Sequence, residues 1–303
     1  MSLKQIIKRY VPYTVYAFVR NLVYPEKINV LEDKLNTLFF ISYQNIALSV
    51  INQKQEFRNV EFKVYSKHGA DGIIAHIFSK VGVKNHTFVE VGVEDGRECN
   101  TANLSLNFGW RGLLIDTNEN WIQSAKKFYG EKLGEDAGTV KAVASYATAE
   151  NINQTLEDNG FNSEIDLLSI DIDSNDYYLW QAITVINPRV VVIEYNSAFG
   201  LRSMTIKYDP NFYFKNLYQE YPLYSGTSLT ALAKLGKKKG YILVACDVHG
   251  HDAYFVRSDI ATGKFIELTP EQAFYPNPLN IRLFGNTDAQ FETIKSLDFE
   301  EIK

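Results

Sequence analysis

Cysteine is almost absent. Cys99 and Cys246 are the only two in 303 residues, far apart, with no CxxC and no metal-type spacing. That argues against a disulfide scaffold or a thiolate metal centre and suits buried thiols in a reducing compartment. Excess positive charge is missing too: the formal net charge is −5, so a nucleic-acid binder working through a general basic surface is not expected. No apolar run approaches the roughly 18 to 20 residues of a membrane span. There is no internal repeat, no low-complexity tract and no GxGxxG. What remains is an ordinary soluble composition, 46% hydrophobic and 22% charged, enough for a sizeable core in one large domain or a domain with an appendage.

The N-terminal stretch "LKQIIKRYVPYTVYAFVRNLVYPEK" mixes Lys4, Lys8, Arg9 and Arg20 with Ile6, Ile7, Tyr10, Val15, Phe18 and Leu22, and Pro12 breaks it. It has no uncharged core or small-residue cleavage site, so it does not read as a signal peptide. A basic, aromatic-rich amphipathic segment suits an anionic membrane face, and equally a contact with the domain or a second subunit. From Ile28 to Phe57 the apolar residues Leu31, Leu35, Leu38, Ile41, Ile46 and Val50 recur at helical spacing, which predicts one long helix or two. These features set a helical extension over 1–58 and a main domain over 59–303, with an insertion at about 200–226. They also favour a homo-oligomer.

Beyond that point strands and helices alternate. Strands are expected at 87–92, 111–116, 139–145, 165–173 and 189–196, and helical or turn-rich segments at 99–108, 119–129, 149–159 and 176–186. The strand runs are nearly continuous aliphatic residues, as in sheets covered on both faces. The fold class is therefore α/β, a doubly wound, mostly parallel sheet. A late helix at about 227–239 precedes "YILVACDVHG" and "HDAYFVRS", a hairpin turning at Gly250. The Pro- and Asn-rich tail past Ala261 reads as irregular.

Three stretches carry chemistry. "FVEVGVEDGREC" (88–99) is a strand, a Gly-spaced turn at Gly92 and Gly96, and a helix start; Asp116, ending the next strand, is placed to accept from ribose hydroxyls. The turn either holds a nucleoside-bearing cofactor or is purely structural. Glu90, Glu94 and Asp95 would repel a pyrophosphate but suit the sulfonium and ammonium of S-adenosylmethionine. "SIDIDSNDYYLW" (169–180) sets Asp171 and Asp173 on one face with Asp176 nearby, and "VIEYNSAFG" (192–200) does the same for Glu194 and Asn196. Such acids can act as a general base, hold a hard divalent cation, or, at Asp173 or Asn175, cap a helix. Third, His249 and His251 flank the hairpin turn, and "HGADG" (68–72) is a weaker candidate for covering the cofactor.

"FVEVGVEDGRECNTANLSLNFGWRGLLIDTNENW", "IDLLSIDIDSNDYYLWQAI", "PRVVVIEYN" and "SGTSLTALAKLGKKKGYILV" resemble the class I S-adenosylmethionine-dependent methyltransferases, in particular the FkbM-type O-methyltransferases associated with surface polysaccharide synthesis. The resemblance covers about residues 60–258. It implies a seven-stranded Rossmann-like sheet with its final strand antiparallel. It assigns Glu90, Gly92, Glu94 and Gly96 to the cofactor loop, Asp116 and Thr117 to the ribose, and Ala144 and Ser145 to the adenine. Asp171, Asp173, Glu194 and Asn196 would face the substrate, and Asp171, Asp173 and Asn196 would hold Mg2+ or Mn2+. Four positions depart from the pattern: Glu94 for the middle glycine, Lys67 and Ala70 where similar sequences show Gln and Glu, and Ser174 for Gly.

The expected activity is methyl transfer to a hydroxyl, that of a sugar or glycan acceptor, in a cytoplasmic protein with peripheral contact at the inner membrane face. The rivals are a non-catalytic scaffold of a glycan assembly system and a nucleotide-sugar dehydrogenase; the acidic loop and missing GxGxxG speak against the latter.

Overall fold

The computed structural model describes residues 52–212 and 220–303, which belong to one unit beginning at Ser49. The basic N-terminal segment, and the helix expected over 28–57 except its last few positions, lie outside the described residues. Helices α1 (Gln53–Val60), α2 (Ala70–Val81), α3 (Ala102–Phe108), α4 (Glu119–Leu133), α5 (Ile152–Asp158), α6 (Asp176–Ala182) and α7 (Leu229–Lys238) accompany strands β1 (Thr87–Val91), β2 (Arg111–Asp116), β3 (Val140–Ala144), β4 (Glu164–Ile170), β5 (Asn187–Glu194), β6 (Met204–Ile206), β7 (Tyr241–Cys246) and β8 (Asp252–Arg257).

Seven strands form one sheet in the order β3-β2-β1-β4-β5-β8-β7. The first five pair in parallel, and β8 enters antiparallel between β5 and β7. Both faces are covered. Val89, Val91, Leu113, Ile115, Leu168 and Ile170 share one apolar cluster with Ile152 and Leu156 of α5, Trp180 of α6 and Leu232 of α7. The alternate residues Phe88, Leu114, Leu167, Val190 and Val192 are buried as well, which is why these strands read as unbroken aliphatic runs.

Polar staples set the lower end of the sheet. Asp166, fully buried in β4, accepts the N–H groups of Lys84 (2.9 Å) and Asn85 (2.6 Å) and pairs with Arg189 Nε at 3.2 Å. Arg189 also donates to the carbonyls of Val81 and Gly82 that end α2. Asp166→Ala would strand a buried guanidinium and two donors. Its expected cost is about 3–5 kcal/mol, read as a lower urea midpoint at unchanged slope.

The tail is ordered, unlike the irregular segment expected. It forms α8 (Ser258–Ala261), α9 (Pro270–Ala273), α10 (Pro278–Phe284), α11 (Thr287–Glu292) and strand β9 (Phe299–Glu301). Its prolines are not breakers: Pro270 and Pro278 sit in the first turn of their helices behind the side-chain caps Thr269 and Asn277. β9 pairs with β6 from the 200–226 insertion, and Phe199, Ile206, Leu223, Tyr224 and Ile294 make a second small core there. Among the described residues no helix is long and apolar enough to cross a membrane.

Candidate active site

The carboxyl ends of β1, β2, β4 and β5 open on one cleft. Its inner part, a cavity of about 110 Å³, is lined by Gly92, Glu94, Asp116, Thr117, Trp121, Ser145, Tyr146, Ala147, Asp171, Asp173 and Phe212, among others. The outer part shares Gly92, Glu94, Asp171 and Asp173 and adds His68, Glu90, Glu194, His251 and Asp252. Lys67 lines both.

The loop after β1 is built around Asp116. One carboxylate oxygen, Oδ2, accepts Val93 N–H at 3.1 Å and Glu94 N–H at 2.8 Å, and the other, Oδ1, accepts Asn118 N–H at 3.0 Å. A carboxylate has about four acceptor positions, and these three N–H groups take up three of them. Gly92 and Gly96 divide their roles. A Cβ on Gly92 would fall 1.6 Å from the carbonyl oxygen of Asp171, so this glycine lets β1 and β4 converge at the cleft floor. A Cβ on Gly96 would meet Ala125 of α4 at 2.9 Å; Gly96 is a packing residue and not part of the lining. Glu94 occupies the left-handed region at φ +48, a backbone that glycine adopts more easily, and its carboxylate stands 3.8 Å from Lys67 Nζ.

Glu90 turns toward the start of α3, accepting the N–H groups of Asn100 (2.9 Å) and Thr101 (3.0 Å). Burial raises its pKa above the ordinary glutamate value despite these bonds. After β3, Ser145 lines the cleft and Ala144 does not; Tyr146 and Ala147 do instead.

Asp171, Asp173 and Glu194 converge, each offering an oxygen within 4.8 Å of the others. Burial, then the charge of Asp173, pushes Asp171 up to about 8, and burial and Asp171 lift Glu194 well above its usual range. Asn196 does not join them. Its amide donates to the carbonyls of Leu223 and Ser225, both at 2.9 Å, and its oxygen accepts Ala198 N–H. Asn196, expected beside Asp171 and Asp173, lines neither part of the cleft; the carboxylates that the structure brings together there are Asp171, Asp173 and Glu194. Asn175 stands at the N-cap position of α6 but makes no side-chain capping bond. Asp176, fully buried, accepts the N–H groups of Ile172 and Ser174 and holds the loop between β4 and α6.

Sequence offered "HGADG" only as a weak candidate for a cover and gave no separate role to Lys67, His68 or Asp71 within "SKHGADG". Buried Asp71 accepts the N–H groups of Val64, Tyr65 and Ser66, each at 2.8 Å, and the Ser66 hydroxyl. That fixes the segment carrying Lys67 and His68 over the cleft. The signal was Asp71 in the first turn of α2, five residues after a serine. His68 stacks on His251 with ring centroids 4.2 Å apart and planes within 5°. Asn277 Nδ2 stands 2.8 Å from His251 Nε2, so that nitrogen is the acceptor and the proton lies on Nδ1, 3.7 Å from Glu194. Burial lowers both imidazoles to about 4, so they are neutral near pH 7. The hairpin turn bearing His249 and His251 is organised by Asp247, which accepts their N–H groups.

No family model matches the chain and no curated protein matches it in sequence. Solved structures do. A candidate caffeoyl-CoA O-methyltransferase from Staphylococcus aureus matches at 19% identity and TM-score 0.42, over 74% of this chain and 99% of that one. A candidate sarcosine dimethylglycine methyltransferase from Galdieria sulphuraria matches at 14% and 0.40, over 57% of this chain and 62% of that one. An S-adenosylmethionine-dependent methyltransferase from Thiobacillus denitrificans, in complex with S-adenosylhomocysteine, matches at 13% and 0.37, over 61% and 68%. At such values the likeness is one of outline, and the strand order carries the assignment: five parallel strands, then the antiparallel β8 inserted before β7. The fold is that of the Rossmann-like methyltransferases. Its cleft lies where open α/β sheets bind ligands, beyond the carboxyl ends of the strands.

Proposed function

We propose that the chain transfers a methyl group from S-adenosylmethionine to a hydroxyl, that of a sugar or glycan acceptor in surface polysaccharide synthesis. The observation that carries this reading is the pairing within one cleft of an Asp116-built nucleoside loop with the Asp171–Asp173–Glu194 cluster. The bound cofactor would supply an electrophilic methyl on a sulfonium centre. Asp116 and Thr117 suit its ribose, Ser145 to Ala147 its adenine, and the acidic lining its positive charge.

A hydroxyl attacking that methyl has to lose its proton, and Asp171 is the acid placed to accept it. A pKa near the working pH is what a general base needs. Acceptors with hydroxyl groups also suit the outer wall, where neutral His68 and His251 face carboxylates and few cations. Calorimetry with S-adenosylmethionine tests the cofactor: no binding at millimolar ligand would sink the enzyme reading in favour of a scaffold. The base makes a signed demand on pH. It acts only when ionised, so turnover should be low well below about 8 and rise through it, the apparent value belonging to Asp171 and Glu194 jointly. Asp171→Asn should remove that rise and lower kcat about 10²- to 10⁴-fold while S-adenosylhomocysteine still binds.

A further inference from the structure

We propose that Lys67 is the built-in counter-ion of the Asp171–Asp173–Glu194 cluster, holding the place a divalent cation would otherwise take. By donor chemistry alone three carboxylates suit Mg2+ or Mn2+. Yet the amide expected to complete the ligand set lines neither part of the cleft, its NH2 group being given to Leu223 and Ser225, and a cation of the chain's own lines the same space as the acids. Lys67 lines the cleft on both its inner and outer sides beside Asp171 and Asp173, and its Nζ stands 3.8 Å from Glu94.

This lysine is presented, not loose. The backbone just before it is gripped by Asp71 through three N–H groups, and Gly69 after it turns at φ +83 into α2. Its surroundings favour the charged form. Burial works to lower its pKa, but Asp171, Glu94, Asp173 and Glu194 outweigh that and hold it above the ordinary lysine value. A metal ion entering the cluster would meet the like charge of this ammonium and lose part of the attraction the carboxylates offer. The cluster would then work on a proton shared between Asp171 and Glu194 plus one fixed positive charge. For its consequence in turnover the proposal rests on the methyl-transfer reading; the electrostatic contact does not.

The test is metal affinity, read without any acceptor. Full-length protein stripped with EDTA and desalted is titrated with Mn2+, and free Mn2+ is followed by its electron paramagnetic resonance signal. Wild type is expected to bind with a Kd weaker than about 1 mM. Lys67→Met, which keeps the chain's reach but not its charge, should bind about tenfold tighter or more, and Lys67→Arg should bind as weakly as wild type. Micromolar affinity in wild type overturns the proposal, whether or not Lys67→Met folds; so does Lys67→Met that melts like wild type yet binds no tighter. S-adenosylhomocysteine calorimetry on the same metal-free samples keeps the two readings apart: failure to bind there removes the methyl-transfer reading and leaves the Mn2+ result standing.

Discussion

Gly92→Ala is expected to abolish S-adenosylhomocysteine binding and to destabilise the fold by about 2–5 kcal/mol, from about 1–2 for a left-handed alanine and about 1–3 for overpacking. Gly92 sits at φ +88 with its position facing backbone, not a side chain that could swing away. The nearest atoms are the carbonyl oxygen of Asp171 at 1.6 Å and its carbon at 2.6 Å. Neither strand end can yield easily. Gly92 N–H donates to Ile115 at 2.9 Å, and Asp171 N–H donates to Val91 at 3.0 Å, so a shift that relieved the clash would unzip both ladders where the cleft begins. The displaced residue would be Asp171, so the acid cluster would move with the cofactor loop. Urea unfolding and a ligand titration check this together; wild-type behaviour in both would show that the close approach of β1 and β4 is not needed.

Asp116→Ala comes second, with an expected loss of affinity for S-adenosylhomocysteine of about 100-fold or more, since hydrogen bonds to a charged group are worth about 1.5–3 kcal/mol each. The effect has two sources. On the proposed reading a ribose hydroxyl would lose its acceptor, and the N–H groups of Val93, Glu94 and Asn118 would lose theirs. Asp116→Asn separates charge from shape. Its oxygen can still serve one side, but its NH2 group would then oppose a backbone donor on the other. Asparagine should therefore be nearly as damaging as alanine, whereas if only charge attraction to the ligand mattered, asparagine would retain much of the affinity. Calorimetry on the two variants decides between these outcomes.

Much of the scaffold was legible because its periodicities are strong. The largely aliphatic runs at 111–116 and 165–170 read as strands buried on both faces, and the 241–257 hairpin announced itself through Gly250. Asp116 and the paired acids at 171 and 173 were readable because a carboxylate ending a parallel strand projects into the ligand crevice. What sequence could not give was how side chains spend their hydrogen bonds. Asn196 looked like a ligand by its spacing from Glu194, but the carbonyls that engage it come from 223 and 225, across an insertion. Gly96 looked like a cofactor glycine, and only the course of α4 shows that it makes room for Ala125. Lys67 was noted as a departure without a role, because the acids it faces lie more than 100 residues further along the chain.

The grip of Asp71 on residues 64–66 has a bearing on kinetics. Lys67 and His68 ride on backbone already fixed before anything enters the cleft, so little chain freedom remains to be lost on association. Entry should then be limited by diffusion and desolvation, and the lifetime of a complex would be set by contacts with the ligand itself, not by the refolding of this rim.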